Sequence, residues 1–187
     1  LKQGAGGDGA EMTDEAVPGL QCAVTALEGS DTVFDLDVKR DEDVEAVASA
    51  VADLGFQGCG TLKIDVADED DLARIKALEA KYDIMIMAKS KLRNEQDLDL
   101  FQTLREADIA LVEVWFGSFD LLEKACAIGG DEMRLGVYTL DGVHCCGCSD
   151  ARAVQAPDEV WGRLIDCGVG LIMTDQARKL RTYLESR

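Results

Sequence analysis

Val33-Phe34-Asp35-Leu36-Asp37-Val38-Lys39 is the stretch from which the fold is read. In an extended strand successive side chains point to opposite faces. Phe34, Leu36 and Val38 then share one face, and Asp35, Asp37 and Lys39 share the other. Strands inside α/β proteins are normally covered on both faces, so three charges in alternation need an explanation. Two readings fit. One is an edge strand with a wetted polar face. The other is a site at the strand's C-terminal end, with carboxylates for a divalent metal and a lysine for an anion.

Working outward, Leu1–Ala10 is glycine-rich and aperiodic and reads as loop. Thr13-Asp14-Glu15 leads to Val17-Pro18 and a short helix over Leu20–Leu27, stopped by Gly29. After the strand Val33–Lys39, Asp41 and Asp43 open a helix with Val44, Val47, Val51 and Leu54 at helical spacing, closed by Gly55. Four strand–helix repeats follow: strands Thr61–Val66, Asp83–Ala88, Ile109–Phe116 and Arg134–Leu140, with helices Asp68–Ala80, Glu95–Glu106, Ser118–Ile128 and, after a long cysteine-bearing loop, Pro157–Cys167. The strand Val169–Thr174 and a helix carrying Leu180–Leu184 end the chain.

Six strands alternating with helices imply parallel strands and right-handed crossovers. An open doubly wound sheet and part of a (β/α)8 barrel both fit. A complete barrel runs to about 250 residues, and this chain falls short of it by roughly two βα units. No G-x-G-x-x-G or P-loop favours the open sheet. Both architectures place ligands at strand C-terminal ends.

The chain has 187 residues, enough for one domain over residues 1–187. Its net charge of −18 argues against nucleic acid and anionic membrane surfaces as partners. No run approaches the roughly 18 apolar residues of a membrane span. The sequence starts at Leu1 and reads as processed or excerpted, so the compartment stays open. Of seven cysteines, Cys22, Cys126 and Cys167 fall on expected helices and read as core residues. His144-Cys145-Cys146-Gly147-Cys148 looks like a metal knuckle but lacks a second ligand pair, and His144 is the only histidine.

If Asp35, Asp37 and Lys39 face a barrel interior, neighbouring strands should offer polar partners. Lys63, Glu113, Tyr138 and Thr174-Asp175 are the candidates. Lys63 and Glu113 could instead form an internal salt bridge with no ligand. Thr174-Asp175 could simply cap the last helix.

These residues resemble the bacterial-type glycerophosphodiester phosphodiesterases. The resemblance rests on Thr139-Leu140, S-D-A-R-A at Ser149–Ala153, P-D-E-V-W-G at Pro157–Gly162, L-I-D-x-G-V at Leu164–Val169 and Thr174-Asp175. T-D-E-A-V-P-G-L at Thr13–Leu20 is similar to the family's lead into a helix, and Val33–Lys39 to its third strand, ending acid-x-Lys. The resemblance implies a TIM-type barrel lacking its first two βα units in this chain. It also implies Ca²⁺ or Mg²⁺ as cofactor and hydrolysis of a small glycerophosphodiester to an alcohol and glycerol 3-phosphate.

By the same resemblance Asp37 takes the metal position and Lys39 faces the phosphate; strand alternation adds Asp35 beside the metal position, and Lys63, Glu113 and Tyr138 to the substrate set. The chain departs from the family at Gly19, Tyr138 and Gln176-Ala177. The family's H-R-G motif, E-x-D ligands and second histidine belong to strands before this sequence begins, and His144 does not replace them. No catalytic residue is therefore expected in this chain, and an N-terminal segment or partner chain is expected to complete the barrel. Two alternatives stand beside the enzyme: an inactive barrel acting as a structural subunit of a larger assembly, and a metal- or phosphate-binding module without turnover.

Overall fold

A computed structural model describes residues 2–4, 12–27 and 29–187. Its centre is a parallel sheet of β3 (Phe34–Leu36), β4 (Gly60–Asp65), β5 (Met85–Leu92), β6 (Leu111–Phe116), β7 (Arg134–Tyr138) and β8 (Leu171–Met173). The six strands lie side by side in strict sequence order. A doubly wound sheet reverses its strand order at a switch point. Winding in one direction makes this sheet six strands of a TIM-type (β/α)8 barrel. β3 and β8 do not pair with each other, so the sheet stays open.

Alternation decides what each face does. Leu62, Ile64, Ile86, Ala88, Val112 and Val114 belong to the hydrophobic core, together with Val51, Ile75, Phe101 and Leu122. These last four lie on the helices α2 (Val44–Asp53), α3 (Glu69–Tyr82), α4 (Asp97–Glu106) and α5 (Phe119–Gly129). Leu36 and Val38 also pack on the core, as their alternation implies. The opposite face carries Asp35, Lys63, Lys89, Glu113 and Tyr138.

Local signals place the helix ends. The Asp68 side chain caps α3, accepting from the N–H groups of Asp70 and Asp71 at 3.0 Å. Asp71 in turn accepts from Ala67 N–H at 2.8 Å. Ser118 caps α5 by accepting from Leu121 N–H at 3.3 Å. Gly29 and Gly55 sit at φ +78° and +73°, the left-handed conformation that stops the helices before them.

Several expectations change. Lys2–Gly4 (β1) and Met12–Ala16 (β2) form a two-stranded antiparallel sheet, where loop and a lead into a helix were expected. A two-stranded ribbon needs backbone pairing but no apolar face, so hydrophobic periodicity is silent about it. Residues 1 and 5–10 of the expected loop lie outside the described residues.

β3 is three residues long instead of seven, because only β4 pairs with it. β5 runs past Ala88 to Leu92, since Ser90 and Leu92 continue the core-facing alternation while Lys89 and Lys91 take the other face. The cysteine loop contains α6 (Asp150–Gln155), and the helix after Pro157 begins as a π-turn over Asp158–Gly162 before α7 (Arg163–Asp166). Cys167 is buried, but Cys22 is exposed: α1 (Leu20–Ala26) buries only Val24. The last helix, α8, spans Ala177–Ser186.

Candidate functional site

Lys63 is the anchor of the strand rim. Its position on β4 faces away from the helices, and it is only 4% exposed. A buried ammonium needs compensation. It finds two carboxylates, Asp35 Oδ2 at 2.7 Å from β3 and Glu113 Oε2 at 2.6 Å from β6. Burial alone would lower the Lys63 pKa; the hydrogen bonds to Asp35 and Glu113, with their charges, outweigh it and the net shift is upward.

Beyond Lys63 the rim opens. Asp37 and Lys39, just past the end of β3, form an ion pair with each other. The hydrogen bond from Lys39 lowers the Asp37 pKa; partial burial opposes it, and the charges of Lys39, Lys89 and Lys63 add to the lowering. Asp37, Lys39 and Lys63 line one cleft of about 230 Å³. A second cleft, of about 450 Å³, adjoins it and is lined by Lys89, Lys91, Arg93, Glu113, Trp115 and Tyr138. Asp65 and Lys89, paired at 3.2 Å, line both clefts. Burial first, then the Cys145 thiol and Glu113, push the Tyr138 hydroxyl up to about 12, so it stays protonated at neutral pH.

The structure thus brings Asp37, Lys39 and Lys63 to one cleft, ties Asp35 and Glu113 to Lys63, and sets Tyr138 in the neighbouring cleft. Asp35 and Asp37 are hard oxygen donors of the kind Ca²⁺ and Mg²⁺ take. Each already accepts from a lysine, and among the described residues no group of three or more His, Cys, Asp or Glu is placed to hold a metal ion. Two carboxylates do not complete such a site.

His144 is exposed, and Cys145 and Cys148 are buried core side chains. Thr174 acts partly as a cap, accepting from Gln176 N–H at 2.9 Å.

Lys89, Lys91 and Arg93 are not among the residues expected from sequence, although Ala88-Ser90-Leu92 alternates with Lys89-Lys91 and carries the signal. Asp150 is a further addition. This fully buried carboxylate accepts from the hydroxyls of Thr139 and Thr174, both at 2.5 Å, and from Asp175 N–H at 2.7 Å. It ties α6 to the ends of β7 and β8.

A family described as a domain of unknown function, DUF4996, matches residues 66–184. No curated protein matches the chain. Among solved structures, a glycerophosphoryl diester phosphodiesterase from Parabacteroides distasonis ATCC 8503 superposes with a TM-score of 0.63 at 16% identity. The match covers 89% of this chain and 54% of that one, so this chain spans about half the length of the solved structure. At that identity the likeness is one of fold.

Proposed function

The chain belongs to the DUF4996 family, a domain of unknown function, and from that premise we propose that it forms the ligand-holding part of a glycerophosphodiester phosphodiesterase-like barrel. The observation that carries the reading is the convergence of Asp37, Lys39 and Lys63 on one cleft at the C-terminal rim of parallel strands. That rim is where barrels of this type hold their ligands. The fold it shares with the P. distasonis phosphodiesterase supports the reading. Lys39, exposed at the mouth of the cleft, faces the phosphodiester, with Lys63 fixed at the cleft floor by Asp35 and Glu113, and charge developing on the phosphoryl oxygens is stabilised there. Asp37, with Asp35 beside it, supplies carboxylates for Ca²⁺ or Mg²⁺, the remaining ligands coming from outside the described residues.

Calorimetric titration of glycerophosphocholine, with and without Ca²⁺, tests this. Cation-dependent binding is expected, weakened about tenfold by Asp37→Asn. Binding indifferent to both cation and substitution would overturn the reading. Residues 1–187 alone are expected to release no glycerol 3-phosphate, because His144, the one histidine of the sequence, sits on the surface and does not line either cleft, leaving the acid–base pair of histidines unsupplied.

A second reading, a catalytically inactive barrel built into a larger assembly, draws on a different observation. The outer edges of β3 and β8 have no strand partner among the described residues. An open edge invites another chain. Stable co-purification with a partner, together with no diester binding, would favour it.

A further inference from the structure

The 450 Å³ cleft is of a size to hold a small ligand, and its charges are unevenly paired. Each acid on its wall is already engaged. Glu113 bonds Lys63 at 2.6 Å, Asp65 pairs with Lys89 at 3.2 Å, and Asp97 accepts from the backbone N–H groups of Arg93 and Asn94 at 2.6 and 3.1 Å. Lys91 and Arg93 are different. Both are exposed, and among the described residues neither side chain has a hydrogen bond or an acidic partner. In a chain with 37 acids and 19 basic residues, two unpaired cations on one cleft wall are against the general balance. Lys91 stands opposite Trp115 in the β5–β6 register, and both side chains line this cleft. Tyr138, kept neutral, adds no negative charge.

We propose that Lys91 and Arg93, against Trp115, form a second anion subsite for a phosphate carried on the alcohol half of the diester. The inference rests on the proposed function for its placement. The bridging phosphate lies in the smaller cleft at Lys39 and Lys63, and the Lys89–Asp65 pair stands between the two clefts. Arginine and lysine together suit a phosphate monoester, with charge-assisted hydrogen bonds from both. The indole offers a flat apolar wall for a polyol ring. The preferred substrate class is therefore a diester whose alcohol is a phosphorylated polyol, and a quaternary ammonium head group meets the wrong charge. The net charge of −18 opposes an anionic bilayer, so the ligand is the soluble diester and not its parent lipid.

The test compares three probes by calorimetry in the presence of Ca²⁺: glycerophosphoinositol 4-phosphate, glycerophosphocholine and free inositol 1,4-bisphosphate. The phosphorylated diester is expected to bind at least about tenfold tighter than the choline diester. Lys91→Ala/Arg93→Ala, at exposed positions, should erase that ratio and leave glycerophosphocholine unchanged. Equal affinities, or a ratio that survives the double substitution, would overturn the subsite. If neither diester binds but inositol bisphosphate does, dependent on Lys91 and Arg93, the subsite stands and the diesterase reading falls. If both diesters bind without discrimination, the subsite falls and the diesterase reading stands. No binding of any probe removes both. Co-pelleting with phosphatidylinositol 4-phosphate vesicles, lost in the double variant, would overturn the assignment to a soluble ligand.

Discussion

Lys63 Nζ and Glu113 Oε2 meet at 2.6 Å although a whole strand, β5, lies between the strands that carry them. In the register Lys63 stands beside Met87, and Glu113 beside Lys89, one alternation nearer the rim. The curl of the sheet lets a long lysine side chain reach over its neighbour. With Asp35 on the other side, one ammonium holds three strands together.

Removing one partner should therefore cost more than removing both. Lys63→Met is expected to lose about 2–4 kcal/mol in urea unfolding, at or below the range for broken buried pairs because Asp35 and Glu113 keep some contact with water. Lys63→Met with Glu113→Leu should recover part of that loss. A single substitution costing no more than an ordinary surface change would show that the ion pair is not structural.

The same group contributes to the alkaline limit. Its folded pKa lies above the ordinary lysine value of 10.5, so its contribution is fully present below that value and is lost as pH rises through the folded one. Asp37 has the opposite sign. Its folded pKa is depressed below 3.8, so its smaller contribution is present above that value and is lost as pH falls through the folded one. The urea midpoint should hold level between about pH 5 and pH 8 and decline outside that range. The alkaline decline begins with the thiols of Cys126, Cys145 and Cys167, which burial pushes above the ordinary thiol value of 9.0, and continues through Lys63. Lys63→Met should flatten part of the alkaline decline, and Asp37→Asn part of the acid one. An unchanged alkaline limb in Lys63→Met would refute the assignment.

Asp150 holds the C-terminal end of the barrel together. Asp150→Ala removes the acceptor of the Thr174 hydroxyl and the Asp175 N–H, and leaves the Thr139 hydroxyl with only the Met173 carbonyl at 3.4 Å. A loss of about 3 kcal/mol is expected. Hydrogen exchange should localise the loosening to α6 and the start of α8. Uniform exchange, or a loss under about 0.5 kcal/mol, would deny the residue this role.

What is legible in the sequence follows the same physics. Alternating Val112, Val114 and Phe116 against Glu113 and Trp115 announce both the strand and its polar face, because one face must meet the helices. The cap residues Asp68 and Ser118 announce the starts of α3 and α5. The end of β5 is hidden, since Lys89-Ser90-Lys91 breaks an apolar run and polarity at a barrel rim resembles a loop. Asp150 is hidden more deeply. Nothing local marks a carboxylate as buried when its three partners arrive from β7, β8 and the turn beyond.

The remaining expectation concerns the two ends of the sheet. β3 and β8 each pair on one side only, and among the described residues their outer edges meet no strand. Val33 beside β3 is 62% exposed and Leu171 in β8 is 43% exposed. Neither edge carries the proline or dense lysine that blunts such a surface, so each presents apolar side chains with unpaired backbone groups. In the working protein a segment of the same polypeptide or a partner chain is expected to fill the position between them. Alone, residues 1–187 should associate as concentration rises in sedimentation experiments. Val33→Lys with Leu171→Lys should suppress that association while leaving the urea midpoint within about 1 kcal/mol of the parent, because both positions already face water. A parent chain that stays monomeric at high concentration would show that its bare edges need no partner.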